Sequence, residues 1–500
     1  MNISQLLERN ARKYPEQETL VGMGQRLTFQ EVDKTVNNLA HALLKRGIGK
    51  GDKIVLFMPN VPEFVMTYFA AQRINAVIVP ISAKLGPKEI GYILEHSDAK
   101  ALFAHELIFD AVMESETDGL LTVKTGQAVP GWEAFADLAA VEEAEKLTSD
   151  AQDDEPSTIL YTSGTTGKPK GVLFSHRNVL TVAQMICVEM EMKPDSRLLH
   201  MMPLSHSAPL HLFLVAGMIV GAKHVLVPTF TPDLLLDTVE GERTTHFFGA
   251  PVAYLMTAKH PDIAKRDLSS MKWWIYGSAP LSAGEVKFVQ ESFRTNNLVC
   301  VYGLTEAGPS GTLMTGPEHA EKAGSIGKRA ALHTEIRIVN PDGQDVAAGE
   351  VGEILLRGEG NMLGYYKNEE ATKETFIGDW LKTGDLAKFD EDGFIWVVDR
   401  KKDLIISGGV NIYPKEIEEV LLEHPDIHET AVIGVPHAEW GETVKAYFAA
   451  SRELSADEIK SFAEKELAGY KVPKLIEQVE ALPRNASGKI LKQPLREGSV

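Results

Sequence analysis

The sequence predicts an α/β protein with a large N-terminal domain of βα-layered sheets plus a small β region, followed by a small α+β C-terminal domain. Three observations carry this. Short apolar runs alternate with helix-spaced segments up to about residue 325. From there the pattern turns hairpin-like, with Asp342-Gly343 and Asp392-Gly393 as turn signals. The last hundred or so residues then mix short strands with helices such as "PKEIEEVLLEH" and "ADEIKSFAEKELA". The expected boundary gives 1–400 to the N-terminal domain and 401–500 to the C-terminal one, with "DRKKD" (399–403) at the junction.

In chain order, Thr28 and Glu31 form a capping box. Val32, Val36, Leu39, Ala40, Leu43 and Leu44 follow with helical spacing, and Gly47 stops that helix. "KIVLFMPN" reads as a buried strand ended by Pro59, "PEFVMTYFAAQRI" as a helix, and "NAVIVPIS" as a strand. "KEIGYILEH" is again helical and "AKALFAH" a strand. Such alternation implies a parallel sheet covered by helices. The acidic stretch "VEEAEKLTSDAQDDEPS" reads as a solvated linker. Strands resume at "RLLHMMPL", "KHVLVPTF", "THFFGAP", "KWWIYGS" and "LVCVYG", suggesting a second, similar half. No repeat of fixed period is present.

A chain of 500 residues exceeds what one core usually holds. Its net charge of −19 disfavours nucleic acid and anionic membrane surfaces. Two cysteines far apart, Cys187 and Cys300, make neither a disulfide framework nor a thiolate metal site. The N-terminus has no apolar signal core, and the longest apolar run, Leu212 to Ala222, is too short to span a bilayer. The expectation is a cytoplasmic protein with no integral membrane segment and small-molecule partners; a homodimer stays open.

The stretch "ILYTSGTTGKPKGVLFSHRN" (159–178) has the composition of a phosphate loop. Thr162, Ser163, Thr165 and Thr166 offer hydroxyl donors. Gly164 and Gly167 let backbone N–H groups approach an anion, and Lys168 and Lys170 bring positive charge. It is not a Walker A loop, because the glycines are too close and Lys168 precedes Pro169. "GEGNMLG" at Gly358 reads as a turn, since its third glycine is one residue late for a dinucleotide loop.

"YTSGTTGKPKGV" closely resembles the signature loop of the adenylate-forming superfamily of acyl-CoA synthetases, peptide-synthetase adenylation domains and luciferases. "YGSAPL" (276–281), "YGLTE" (302–306), "GEILLRG" (352–358), "WLKTGDL" (380–386), "VVDRKKDLIISGG" (397–409) and "NASGKILK" (485–492) resemble its later motifs, in order. The likeness covers essentially the whole chain and is nearest to a bacterial fatty-acid–CoA ligase.

The resemblance implies that Thr162 to Lys170 close over the β- and γ-phosphates of ATP. Tyr302, with Gly303 after it, would lie against the adenine, and the backbone of Ser278, Ala279 and Pro280 would line its other side. Thr305 would bond the phosphate, and Glu306 would help hold Mg²⁺, which wants carboxylate oxygen. Asp385 would accept from the ribose hydroxyls, and Arg400 would reach the ribose or α-phosphate. Lys489 would neutralise the charge that spreads as a carboxylate attacks the α-phosphate. It would ride on a mobile C-terminal domain hinged at Lys402. Rotation would replace it with Ser407-Gly408-Gly409, lining the tunnel for the pantetheine arm of coenzyme A. Two half-reactions follow: acyl-AMP formation with release of pyrophosphate, then transfer to CoA with release of AMP.

The resemblance implies an acid pocket between "PLSHSAPLHLF", "HFFGAPVAYLM" and 303–312, with His206 following "PLS" where the family often has an aromatic residue or His beside the carboxylate. Leu210, Phe213, Phe247, Phe248 and Leu255 make it apolar. No Asp follows "PLS" to bind an ammonium group, and no Arg or Lys lies in the three segments. A medium- or long-chain fatty acid is the favoured substrate; an aromatic acid, or a carrier protein as acceptor, is the alternative. A non-catalytic nucleotide sensor is disfavoured because Glu306, Asp385, Arg400 and Lys489 are all present.

Overall fold

Apolar runs too short for helices, bounded by polar turns, form the strands of two large sheets in this computed structural model, which describes residues 1–140, 145–162, 168–484 and 490–498. The chain divides into two compact units, Met1–Ile336 with Leu356–Leu381 and Arg337–Leu355 with Lys382–Val500. Residues 337–355 and 382–400 of the small β region fall in the second unit.

In the first unit, an eight-stranded sheet has Lys53–Phe57 at its centre. Val77–Pro80 and Pro156–Thr162 lie on one side and Ala99–Ala104 on the other, all parallel. Lys170–Ser175 turns back antiparallel on Pro156–Thr162, and Gly364–Tyr365 closes that edge. The nine-stranded sheet runs parallel from Leu298–Tyr302 through Trp273–Gly277, His246–Gly249, Arg197–His200 and Lys223–Leu226 to Glu18–Gly22. Its core holds Leu199, Phe247, Tyr254, Trp274 and Phe293. The N-terminal hairpin thus completes the sheet of the second half, so the halves are not closed in sequence.

The Thr28 capping box forms as expected, with the Thr28 side chain accepting from Glu31 N and Glu31 reaching back. The acidic stretch does not behave as a solvated linker over its described residues. Asn37 and Asn2 side chains donate to the carbonyls of Glu145, Ser149 and Ala151, and Lys146 pairs with Asp33 at 2.7 Å. Paired backbone and a buried Ala151 outweigh the local charge. "PLSHSAPLHLF" continues into an eight-residue π-helix, Ala208–Val215, a rare form that gathers at functional sites.

In the second unit, residues 385–389 pair with Ile395–Arg400. The two Asp-Gly signals make matching turns, with Gly343 and Gly393 at positive φ. Asn340 and Asp390 side chains accept from the turn backbones. Ile427–His437 and Gly441–Ala450 form a long hairpin. Helices Pro414–Leu422 and Ala456–Ala463 pack Ile417, Leu421 and Ile459 against it.

Candidate active site

Four loops leave the C-terminal ends of adjacent parallel strands in the first unit: 201–207, 250 onward, 278–280 and 303–306. Ligands gather at such strand ends in open α/β sheets. Gly277 pairs with Val301, so "YGSAPL" and "YGLTE" emerge side by side. A Cβ on Gly277 would sit 2.8 Å from the Val301 carbonyl oxygen, which is why this close pairing needs glycine. Ser278, at φ 73°, then turns the chain outward, leaving Ser278, Ala279 and Pro280 exposed. Tyr302, Thr305 and Glu306 are half-buried, and Gly303 is exposed.

Ser207 and Thr305 hydroxyls lie 3.3 Å apart, joining the acid-wall segment to the nucleotide loop. His206, one residue earlier, is half-buried; burial first, then the Lys84 charge, lowers its pKa, which favours the neutral ring. Phe213 stacks on Phe248 with ring centres 5.3 Å apart and Leu210 is buried, whereas Phe247, expected in the acid wall, packs with Tyr254 and Trp274 in the core of the nine-stranded sheet, with Leu255 against it. Glu306 Oε1 accepts from the Tyr365 hydroxyl at 2.9 Å.

Thr162 and Lys170 are paired across the hairpin that carries the phosphate loop. Ser163, Gly164, Thr165, Thr166 and Gly167 lie outside the described residues. Lys168 Nζ sits 5.8 Å from the Tyr92 ring centre and Lys170 Nζ 4.9 Å from that of Tyr365. These groups, with His96 and Tyr366, line a cleft of about 210 Å³.

In the second unit, Asp385 is 5% exposed and pairs with Arg400 through Oδ1 and Nε at 2.8 Å. The strand register sets them opposite each other, and Arg400 also donates to the Thr383 carbonyl. Lys402 follows in a short 3-10 turn, where loss of solvent first, and then nearby Arg400, Arg496 and Lys492, lower its pKa against the pull of Asp403. Ser407 pairs with Val410, so Gly408 and Gly409, both at positive φ, make a two-residue hairpin turn. Gly408 N–H donates to the Trp440 carbonyl at 2.8 Å. Lys489 lies outside the described residues; Arg484 and Ile490 on either side of it form a β-bridge.

A match to the AMP-binding enzyme family covers residues 7–366, and one to the AMP-binding enzyme C-terminal domain covers 416–489. The chain belongs to this AMP-binding enzyme family. A feruloyl-CoA synthase from Amycolatopsis sp is 36% identical, over 98% of this chain and 97% of that protein. A long-chain-fatty-acid–CoA ligase from Mycobacterium tuberculosis is 33% identical, over 99% and 98%. ATP-bound MatB from Rhodopseudomonas palustris superposes with a TM-score of 0.88 at 29% identity, over 100% and 99%. The chain is therefore an AMP-forming acid–thiol ligase. ATP, CoA and a small carboxylic acid are the substrates of this class. The adenylate-forming resemblance read from the motifs and the α/β fold class read from the alternating pattern hold.

Three residues of this candidate site escape the motif reading. Ser207 and Tyr365 touch motif residues only through tertiary contacts, Tyr365 to Glu306 across 59 positions. Lys84 brings a positive charge near His206 from outside the three pocket segments. Its signal in the sequence is one lysine in a loop, which base rates assign to solvent. Among the described residues no helix is long and apolar enough to cross a membrane.

Proposed function

We propose that the chain activates an apolar monocarboxylic acid, a medium- or long-chain fatty acid first, as acyl-AMP and transfers the acyl group to CoA. The observation that carries this is the Ser207–Thr305 contact, which ties an apolar wall without Arg or Lys to the nucleotide loop. A wall of this kind selects by shape rather than charge.

In this reading Thr162 through Lys170 hold the β- and γ-phosphates. Tyr302 and the 278–280 backbone hold adenine, and Asp385 and Arg400 take the ribose. Thr305 bonds the phosphate and His206 orients the acid carboxylate, aided by the positive field of Lys84. Glu306 fits Mg²⁺: its partner at Oε1 is a neutral hydroxyl, and Mg²⁺ is usually held by one or two carboxylates with substrate phosphates. Bound there, the ion would offset phosphate charge. The acid carboxylate attacks the α-phosphate, pyrophosphate leaves, and Lys489 offsets the developing charge. The CoA thiol then attacks the acyl carbonyl and AMP leaves. We assign the moving body to 401–500, hinged at Lys402, presenting Lys489 in the first step and Ser407–Gly409 in the second. A cytoplasmic setting suits the two free thiols, which burial pushes up to about 12.

An aromatic acid is the second reading. The Phe213–Phe248 stack offers a flat face, and the feruloyl-CoA synthase relative acts on such an acid by its name. One incubation decides: ATP, Mg²⁺ and a mixed acid panel, with and without CoA, read by mass spectrometry. A fatty acyl-CoA supports the first reading and an aryl or cinnamoyl thioester the second. Acyl-AMP that never reaches CoA points to a carrier protein. No product from any acid refutes the proposal.

A further inference from the structure

The segment 358–366, of which 358–364 reads from sequence as a turn, straps the Glu306 turn to the strand that closes the phosphate loop. Met362 N–H donates to the Glu306 carbonyl at 2.8 Å. Leu363 N–H donates to Leu173 and Tyr366 N–H to Gly171. Gly364 and Tyr365 pair with Leu173 and Val172. The fit is tight: a Cβ on Gly308 would lie 2.3 Å from the Gly360 carbonyl oxygen.

Tyr365 stands where this strap meets both phosphate-directed groups. Its hydroxyl donates to Glu306 Oε1 at 2.9 Å. Its ring faces the Lys170 ammonium, 4.9 Å from the centroid. Its own N–H donates to Thr372 Oγ1 at 2.9 Å, so its backbone is fixed on two sides.

We propose that Tyr365 is a positioning residue for acyl-adenylate formation. Its hydroxyl fixes the Glu306 carboxylate and its ring fixes the Lys170 ammonium, presenting anion and cation together to the metal–nucleotide. This rests on the roles given above to Glu306 and Lys170. A hydrogen bond to a charged acceptor restricts that acceptor more strongly than a neutral one. The cation–π contact holds the lysine without neutralising it.

The test pairs Tyr365→Phe, which keeps the ring and removes only the hydroxyl, with Glu306→Gln. Tyr365→Phe is expected to slow acid-dependent pyrophosphate–ATP exchange by ~10-fold or more, the size of a lost hydrogen bond to a charged group. Calorimetry should show ATP binding needing more Mg²⁺ for half-saturation, a readout independent of turnover. Thioester formation from supplied acyl-AMP and the thermal midpoint should change little. On a Glu306→Gln background the Tyr365→Phe change should add no further loss. Tyr365→Leu, which also removes the ring, should weaken ATP binding further.

If Glu306→Gln leaves exchange intact, the site reading fails and this inference falls with it. If Glu306→Gln cripples exchange while Tyr365→Phe keeps wild-type exchange and Mg²⁺ dependence, the positioning role alone is refuted. Equal loss of both half-reactions with a lowered thermal midpoint marks Tyr365 as merely structural and refutes the role too.

Discussion

Gly408→Ala should damage the thioester half-reaction through two separable costs. Gly408 sits at φ 57°, a left-handed conformation that costs an L-residue ~1 kcal/mol or more. An added Cβ would also lie 2.7 Å from Cε3 of the Trp440 indole. The indole is 55% exposed, so it can swing away, at ~1 kcal/mol for an off-rotamer side chain. Together these make ~2 kcal/mol, or ~30-fold against the hairpin conformation. Gly409, at φ 80° with open space around its Cβ position, isolates the backbone cost. Gly409→Ala should therefore lose only ~5-fold. The assay is stopped-flow thioester formation from supplied acyl-AMP and CoA, beside pyrophosphate exchange on the same preparations. Adding Trp440→Ala to Gly408→Ala should recover the indole part, provided Trp440→Ala alone is measured as reference. Equal rates in Gly408→Ala and Gly409→Ala, or equal damage to pyrophosphate exchange, would refute this reasoning.

Lys489→Ala should abolish adenylation yet leave thioester formation from supplied acyl-AMP largely intact; equal loss of both sinks the two-step assignment. Lys402→Pro should freeze the hinge and slow CoA ligation more than pyrophosphate release, and unchanged ligation removes Lys402 from that role. Lys84→Met should raise the His206 pKa, since the Lys84 charge is among the forces holding it down, and should raise KM for the acid with little change in KM for ATP; an unmoved His206 titration by NMR argues against the contact. Burial lowers His176 and His246 to about 4 and His200 and His211 to about 3. The unfolded chain therefore takes up more protons below pH ~6.5, so stability present at neutral pH is lost as pH falls toward those values, at up to ~5 kcal/mol per pH unit for four sites. Urea midpoints that stay flat from pH 7 to pH 5 would contradict this.

What the sequence made legible follows from where the chain is buried. Strands such as Lys53–Phe57 and His246–Gly249 are covered on both faces, so they appear as unbroken apolar runs. Edge strands carry no such signal. Gly364–Tyr365, at the edge of the eight-stranded sheet, is two residues long, while Glu18–Gly22, inside the nine-stranded sheet, joins it by pairing with Lys223–Leu226, some two hundred residues away. The same divide runs through the site. Residues whose work is done by local backbone, as in the Gly408-Gly409 turn or at Ser278, lie inside the motifs that carry the family resemblance. Tyr365 meets Glu306 only because an edge strand two residues long brings it there. No local pattern encodes that pairing, since the strand is too short for periodicity and the partner lies 59 positions away. Motifs therefore show the groups that touch substrate, while the side chains that aim those groups emerge from register. A supporting residue such as Tyr365 is accordingly to be sought at a sheet edge beside the motif loops rather than within the motifs.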